Sequence, residues 1–245
     1  MFVFHPPLHV RSFLVIGVTR ALLGVHLICA AAATACFWGA ALLTKGGPAH
    51  RRSGFWFARA VYLTACTGAT LAVIRLVVLR HPDPFGAQAA IIERQTMWLV
   101  LYVLLTIVAP VQHGLAVVAA GASPVGLRSL THMTLNVLSM VGSLALLPAA
   151  LLWGQGLFLI VAPIGLVVGL RNLSYAIKAT ATRSEWEREH LTSLITAGIT
   201  LHTALLVFGT SRTLALHLTG LVSLWPWVVP ALVGLPIILW IRARR

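Results

Sequence analysis

The sequence predicts an all-α membrane protein, a bundle of about seven transmembrane helices with the N-terminus outside and the C-terminus in the cytoplasm. Three observations predict it. Of 245 residues, 59% are hydrophobic and only 9% are charged, whereas a soluble domain carries roughly a quarter charged residues. The apolar residues form several runs of membrane-crossing length. The 18 Lys and Arg, against 5 Asp and Glu, fall mostly in the short segments between those runs. One membrane domain over 1–245 accounts for nearly the whole chain.

The first span, 13–43, is long enough to tilt or to project beyond the bilayer. It is also too long for the apolar part of a cleaved leader, so it reads as a retained helix. Its small-residue run, 30–33, permits close helix contact. The following spans are 56–79, 97–120, 127–153, 157–177, 190–209 and 221–241. The seventh is expected to break near Trp225-Pro226-Trp227 and again at Pro230 and Pro236. Trp38, Trp56, Trp98, Trp153, Trp225 and Trp240 lie near span ends, where amphipathic rings anchor at the interface.

Orientation follows from the loops. Arg11, Arg80, Arg94 and Arg212 mark one side; Lys45, Arg51, Arg52, Arg128, Lys178, Arg183, Arg188, Arg242, Arg244 and Arg245 mark the other. The richer side is cytoplasmic by the positive-inside rule. Arg20 and Arg75 lie toward the outer ends of their spans, placed to snorkel or to pair with Asp83 or Glu93. This distribution suits contact with anionic lipid headgroups and argues against a nucleic-acid partner.

All five acidic residues fall in loops on this reading, with Ser184 and Glu187 capping the sixth helix and Glu189 in the same cap. That argues against proton-coupled transport, which runs through buried carboxylates. It also argues against magnesium-diphosphate chemistry, which needs oxygen ligands. The last helix has no lysine for a retinal-type Schiff base. Cys29, Cys36 and Cys66 lie inside spans with no zinc-ligand spacing and read as buried small hydrophobes.

Histidine carries the remaining chemistry. His50, His113, His132 and His190 fall near the cytoplasmic leaflet, and His26 and His202 lie deeper. The last span but one also carries a polar stripe of Ser193, Thr196, Thr200 and Thr203, which needs partners in lipid. His190 and His202 point about 120° apart on one helix and do not share a metal. Two imidazoles on facing helices, His113 and His190, are the candidate ligands of a b-type haem or transition metal; His132, His202 and His50 are further candidates. Gln112, Asn136, Asn172 or Glu189 would supply the hydrogen bond that sets an imidazole's tautomer. A basic loop with Lys45, Arg51 and Arg52 is a candidate site for an anionic lipid headgroup. The competing interpretation makes these histidines interhelical glue and the basic loop a topology signal.

The segments KGGPAHRRSG, LLTIVAPVQHGL, WEREHLTSLITAGITLHTALLVFG and LWPWVVPALVGLPIILW together resemble a family of bacterial integral membrane proteins without an assigned activity. The resemblance spans nearly the whole chain. It singles out Lys45, His50, Arg51, Gly54, His113, Gly114, Glu189, His190, His202 and Thr203. Phe57-Ala58-Arg59 departs from the Gly-Arg-x-Tyr type sequence expected there. The resemblance implies the architecture and no reaction. Three functions stay open: a His-ligated redox or metal-binding membrane protein, an accessory subunit of a larger membrane complex, and a lipid or small-molecule transporter. The proline-rich seventh span favours the third.

Overall fold

The computed structural model describes residues 8–78, 87–210, 222 and 224–243. Among them there is no strand, and seven helices are long and apolar enough to cross a membrane. The protein is a multi-pass, all-α membrane protein. Its helices are α1 (Leu8–Leu42), α2 (Pro48–Val78), α3 (Ala87–Ala120), α4 (Leu130–Leu152), α5 (Gly156–Val161), α6 (Pro163–Ala176), α7 (Arg183–Ala204) and α8 (Trp225–Ala243). Large apolar side chains such as Leu42, Leu130 and Leu152 stay exposed, as lipid-facing groups must. The chain forms two compact units that divide between Val100 and Leu101, within α3.

In the first unit α1 and α2 form an antiparallel hairpin. Gly46 takes a left-handed φ of 74° in the connection, which a side chain would strain. Lys45 Nζ then folds back onto the carbonyls of Ala40, at 3.0 Å, and Ala41, capping the end of α1. Partial burial pushes its pKa below the usual lysine value. Three side chains of α2 or α1 reach across in one register. His26 Nδ1 donates to Thr64 O at 3.0 Å, Ser53 Oγ to Cys36 O at 2.8 Å, and His50 Nδ1 to Ala40 O at 2.9 Å. Gly39 makes room, since a Cβ there would meet Ser53 Oγ at 2.6 Å. Ala33, in the small-residue run, is fully buried. Arg75 pairs with Glu93 at 3.4 Å, one of the two acids expected for it; Asp83 lies outside the described residues.

Four sequence expectations change. The second helix starts at Pro48, so His50, Arg51 and Arg52 belong to its first turns rather than to a loop. Proline suits a first helical turn, where its missing N–H is not needed. The fifth span is two helices, α5 and α6, because Pro163 has no N–H to donate to the carbonyl four residues back. The break is repaired in the interior of the second unit: Gly165 N–H donates to Tyr102 Oη and Leu166 N–H to Ser143 Oγ, each at 2.7 Å. Both hydroxyls in turn donate to Ala162 O. The last helix runs unbroken through Pro230 and Pro236. Finally, the cap of α7 is Thr182 with Glu185, not Ser184 with Glu187: Glu185 N–H donates to Thr182 Oγ1, and Thr182 N–H to Glu185 Oε2 at 2.7 Å. Both pairs have the same spacing; the chain uses the earlier one.

The second unit is closed by small residues. A Cβ on Gly165 would meet Tyr102 Oη at 2.8 Å, and one on Gly169 would meet Asn136 O at 2.7 Å. This Gly-x-x-x-Gly face lays α6 directly on α4. Gly114 of α3 plays the same part against α7, where a Cβ would meet Ser193 Cβ at 3.2 Å. At the end of α6, Arg128 Nε donates to Ala176 O at 3.1 Å and satisfies a last-turn carbonyl.

Candidate functional site

The earlier start of α7 moves Glu189 from a loop into the helix, about two turns from its beginning. There the side chain turns inward and the residue is 7% exposed. This overturns the expectation that no carboxylate is buried. A carboxylate in that position requires charged or hydrogen-bonding partners, because desolvation without them costs several kcal/mol. It has three. Arg171 Nε of α6 lies 3.2 Å from Oε1, His113 Nε2 of α3 lies 3.3 Å from the same oxygen, and Arg242 Nη2 of α8 lies 3.4 Å from Oε2.

From Glu189 the contacts run on through side chains alone. His113 Nδ1 faces His132 Nε2 of α4 at 3.3 Å, and the two rings stack with centroids 5.1 Å apart. His132 Nδ1 meets Gln112 Oε1 at 2.6 Å. Asn136 Nδ2, one turn along α4, lies 3.3 Å from His132 Nε2. Asn172 Nδ2 donates to Asn136 Oδ1 at 2.7 Å, and Arg171 Nη2 donates to Asn172 Oδ1 at 3.1 Å. The path thus returns to Arg171 and to Glu189. Arg171 also donates to Ser193 Oγ at 2.9 Å and Thr196 Oγ1 at 3.3 Å, giving partners to the polar stripe of α7. His113, His132, Asn136, Asn172 and Ser193 are wholly buried.

The hydrogens of this ring can be counted. Between Gln112 Oε1 and the Glu189 carboxylate, both acceptors, lie two imidazoles and three contacts. Each contact needs one hydrogen, and two neutral imidazoles supply two. Either the chain holds a third proton or Gln112 turns its amide N–H toward His132. The two states differ by one proton and by the sense of the Gln112 amide, whose oxygen and nitrogen exchange places. With Glu189 protonated, every donor points from Glu189 toward Gln112, and His132 Nε2 accepts from Asn136 Nδ2 as well; with the carboxylate ionised and the amide turned, His132 Nε2–H would face that Asn136 donor.

The structure brings together His113 and His132, and with them Gln112, Asn136 and Glu189, each of which bonds an imidazole as the sequence suggests; Asn172 reaches the ring through Asn136. His190 is placed elsewhere: its Nδ1 donates to Gly114 O at 2.8 Å, holding α7 to α3. His202 Nδ1 donates to Gly198 O of its own helix at 2.7 Å. His50 belongs to the first unit, bonded to Ala40. Lys45 caps α1, while Arg51 and Arg52 stay exposed.

A haem ligand needs a ring nitrogen with a free lone pair about 2.0 Å from the metal. His113 turns both ring nitrogens to side chains and, as arranged, offers no lone pair to an iron. Among the described residues no group of three or more His, Cys, Asp or Glu is placed to hold a metal ion.

Sequence reasoning missed Arg171 and misassigned Glu189. The signal for Arg171 was present: a guanidinium beside Asn172 inside an apolar span is a functional position by default in lipid. No protein-family model matches the chain, and comparison with curated proteins and with solved structures likewise returned no match.

Proposed function

We propose that this is a proton-relaying protein of the bacterial cytoplasmic membrane, working through the buried Glu189–His113–His132–Gln112 chain. The observation that carries the reading is that chain itself: a carboxylate and two imidazoles in unbroken side-chain contact, in the interior of a membrane unit. In the forward step Glu189 gives its proton to His113 Nε2. His113 releases the Nδ1 proton to His132 Nε2, which leaves His132 an imidazolium with its Nδ1–H held by Gln112 Oε1. Arg171 and Arg242 stabilise the carboxylate left behind. The ring lies at the end of the unit that bears Arg128, Lys178, Arg183 and Arg242, which faces the cytoplasm by the positive-inside rule. The resemblance to a bacterial membrane family agrees with that location.

The test is proton uptake into liposomes loaded with a pH-sensitive dye and driven by a potassium potential. Wild-type protein is expected to carry a flux above that of empty vesicles. Glu189→Gln is expected to lower it at least about tenfold, the scale of a lost proton-transfer group, and Glu189→Asp to restore part of it. Wild-type vesicles no faster than empty ones, or an unchanged Glu189→Gln flux, would overturn the reading.

A further inference from the structure

Two hydroxyls beside the ring have no partner. Tyr175 is 6% exposed and Thr192 is 1% exposed, and neither Tyr175 Oη nor Thr192 Oγ1 makes a hydrogen bond. Both residues adjoin the relay. The Tyr175 ring stands edge-on to His113, centroids 5.8 Å apart at 89°. Thr192 follows Glu189 by one turn on α7 and precedes Ser193, a ligand of Arg171.

Neither orphan is explained by its local chain. A helical threonine satisfies its hydroxyl on the carbonyl four residues back. Thr196 does this to Thr192 O at 2.8 Å, and Thr200 to Thr196 O at 3.2 Å. Thr192 does not. Tyr102 offers the matching comparison for Tyr175. It is equally buried, at 5%, yet its hydroxyl meets Ser143 Oγ at 3.0 Å, Gly165 N at 2.7 Å and the Ala162 carbonyl. A buried hydroxyl without a partner is costly in any protein and more so in lipid, where nothing outside the chain can satisfy it. Buried water is the usual remedy where several polar groups converge.

We infer that ordered water is bound inside the second unit at Tyr175 Oη and Thr192 Oγ1, beside Glu189 and His113. The inference deepens the relay reading, since it names the species that would hand protons to Glu189, but its test does not depend on flux. The Gln112 end is closed by the direct 2.6 Å contact with His132.

The experiment is radiolytic hydroxyl-radical labelling of the protein in lipid nanodiscs, read by mass spectrometry. Radicals form from bound water, so a buried tyrosine is labelled only where water touches it. Tyr175 is expected to label several-fold faster than Tyr102, with the label taken from H2¹⁸O when the protein is equilibrated in it. Labelling of Tyr175 as slow as that of Tyr102 would overturn the inference. Thr192→Val supplies a second readout. If water satisfies the hydroxyl, valine loses that bond and the melting temperature drops. If the hydroxyl is simply unsatisfied, valine raises it, and the Thr192 water site is refuted. Fast Tyr175 labelling in vesicles that carry no proton flux keeps the water site and removes only the relay.

Discussion

In the α1/α2 hairpin, His26 and His50 each give a ring N–H to a backbone carbonyl of the facing helix. In the second unit, His113 and His132 bond each other, and beyond them a carboxylate and an amide. A carbonyl accepts from one tautomer only, so the hairpin histidines are fixed donors. An imidazole facing an imidazole is donor or acceptor according to its tautomer, so the second pair is not fixed by a carbonyl. The same residue type is tied to backbone carbonyls and half-buried in one unit, and tied to other side chains and wholly buried in the other. Charge follows the same division. The first unit keeps its Arg75–Glu93 pair exposed or half-exposed, whereas the second unit closes Arg171 and Arg242 around a buried Glu189.

Mutations sharpen that contrast. The largest effect is expected for Glu189→Leu, which strands Arg171 in the interior. Breaking a buried pair costs about 3–5 kcal/mol, and thermal unfolding in detergent should show the loss, while Glu93→Leu should be nearly silent. Gly169→Ala comes next, at about 1–3 kcal/mol for overfilling a tight contact, since the new methyl meets Asn136 O. Gly24→Ala in α1, with nothing within 4 Å of its Cβ position, should be neutral or slightly stabilising. A double-mutant cycle of His113→Ala and His132→Ala should give a coupling energy of about 1 kcal/mol or more, the range of residues in one network. His26→Ala and Ser53→Ala, on the same hairpin but without a shared partner, should add within about 0.5 kcal/mol. Ser53→Ala alone should cost about 0.6 kcal/mol, the scale of one interhelical hydrogen bond in a membrane protein.

The architecture was legible because the bilayer demands long apolar runs, and composition reports them directly. His113 and His132 were legible as polar residues in such runs, and Gln112 and Asn136 as their supports. Glu189 was not, because its place depended on where α7 begins. Thr182-x-x-Glu185 and Ser184-x-x-Glu187 are equally good caps by spacing, and a shift of two residues turns a loop acid into a buried one. The pairing of His113 with His132 rather than His190 was also out of reach. It is set by Gly114, whose missing side chain brings α7 close enough for His190 to reach a carbonyl, and by the Gly165/Gly169 face that seats α6 on α4. Such contacts join residues far apart in the chain, and no periodicity encodes them. Proline misled twice: Pro230 and Pro236 were expected to break α8 and do not, while Pro163 divides a span that was expected to be continuous.

The central claim is that His113 and His132 share a proton in a chain governed by Glu189. Solid-state NMR of ¹⁵N-histidine-labelled protein in lipid tests it most directly. A ring-nitrogen to ring-nitrogen correlation between two histidines is expected, lost in either His113→Ala or His132→Ala, with the ring shifts of both moving in Glu189→Gln. Histidine signals that are all isolated neutral tautomers, indifferent to the state of Glu189, would contradict it.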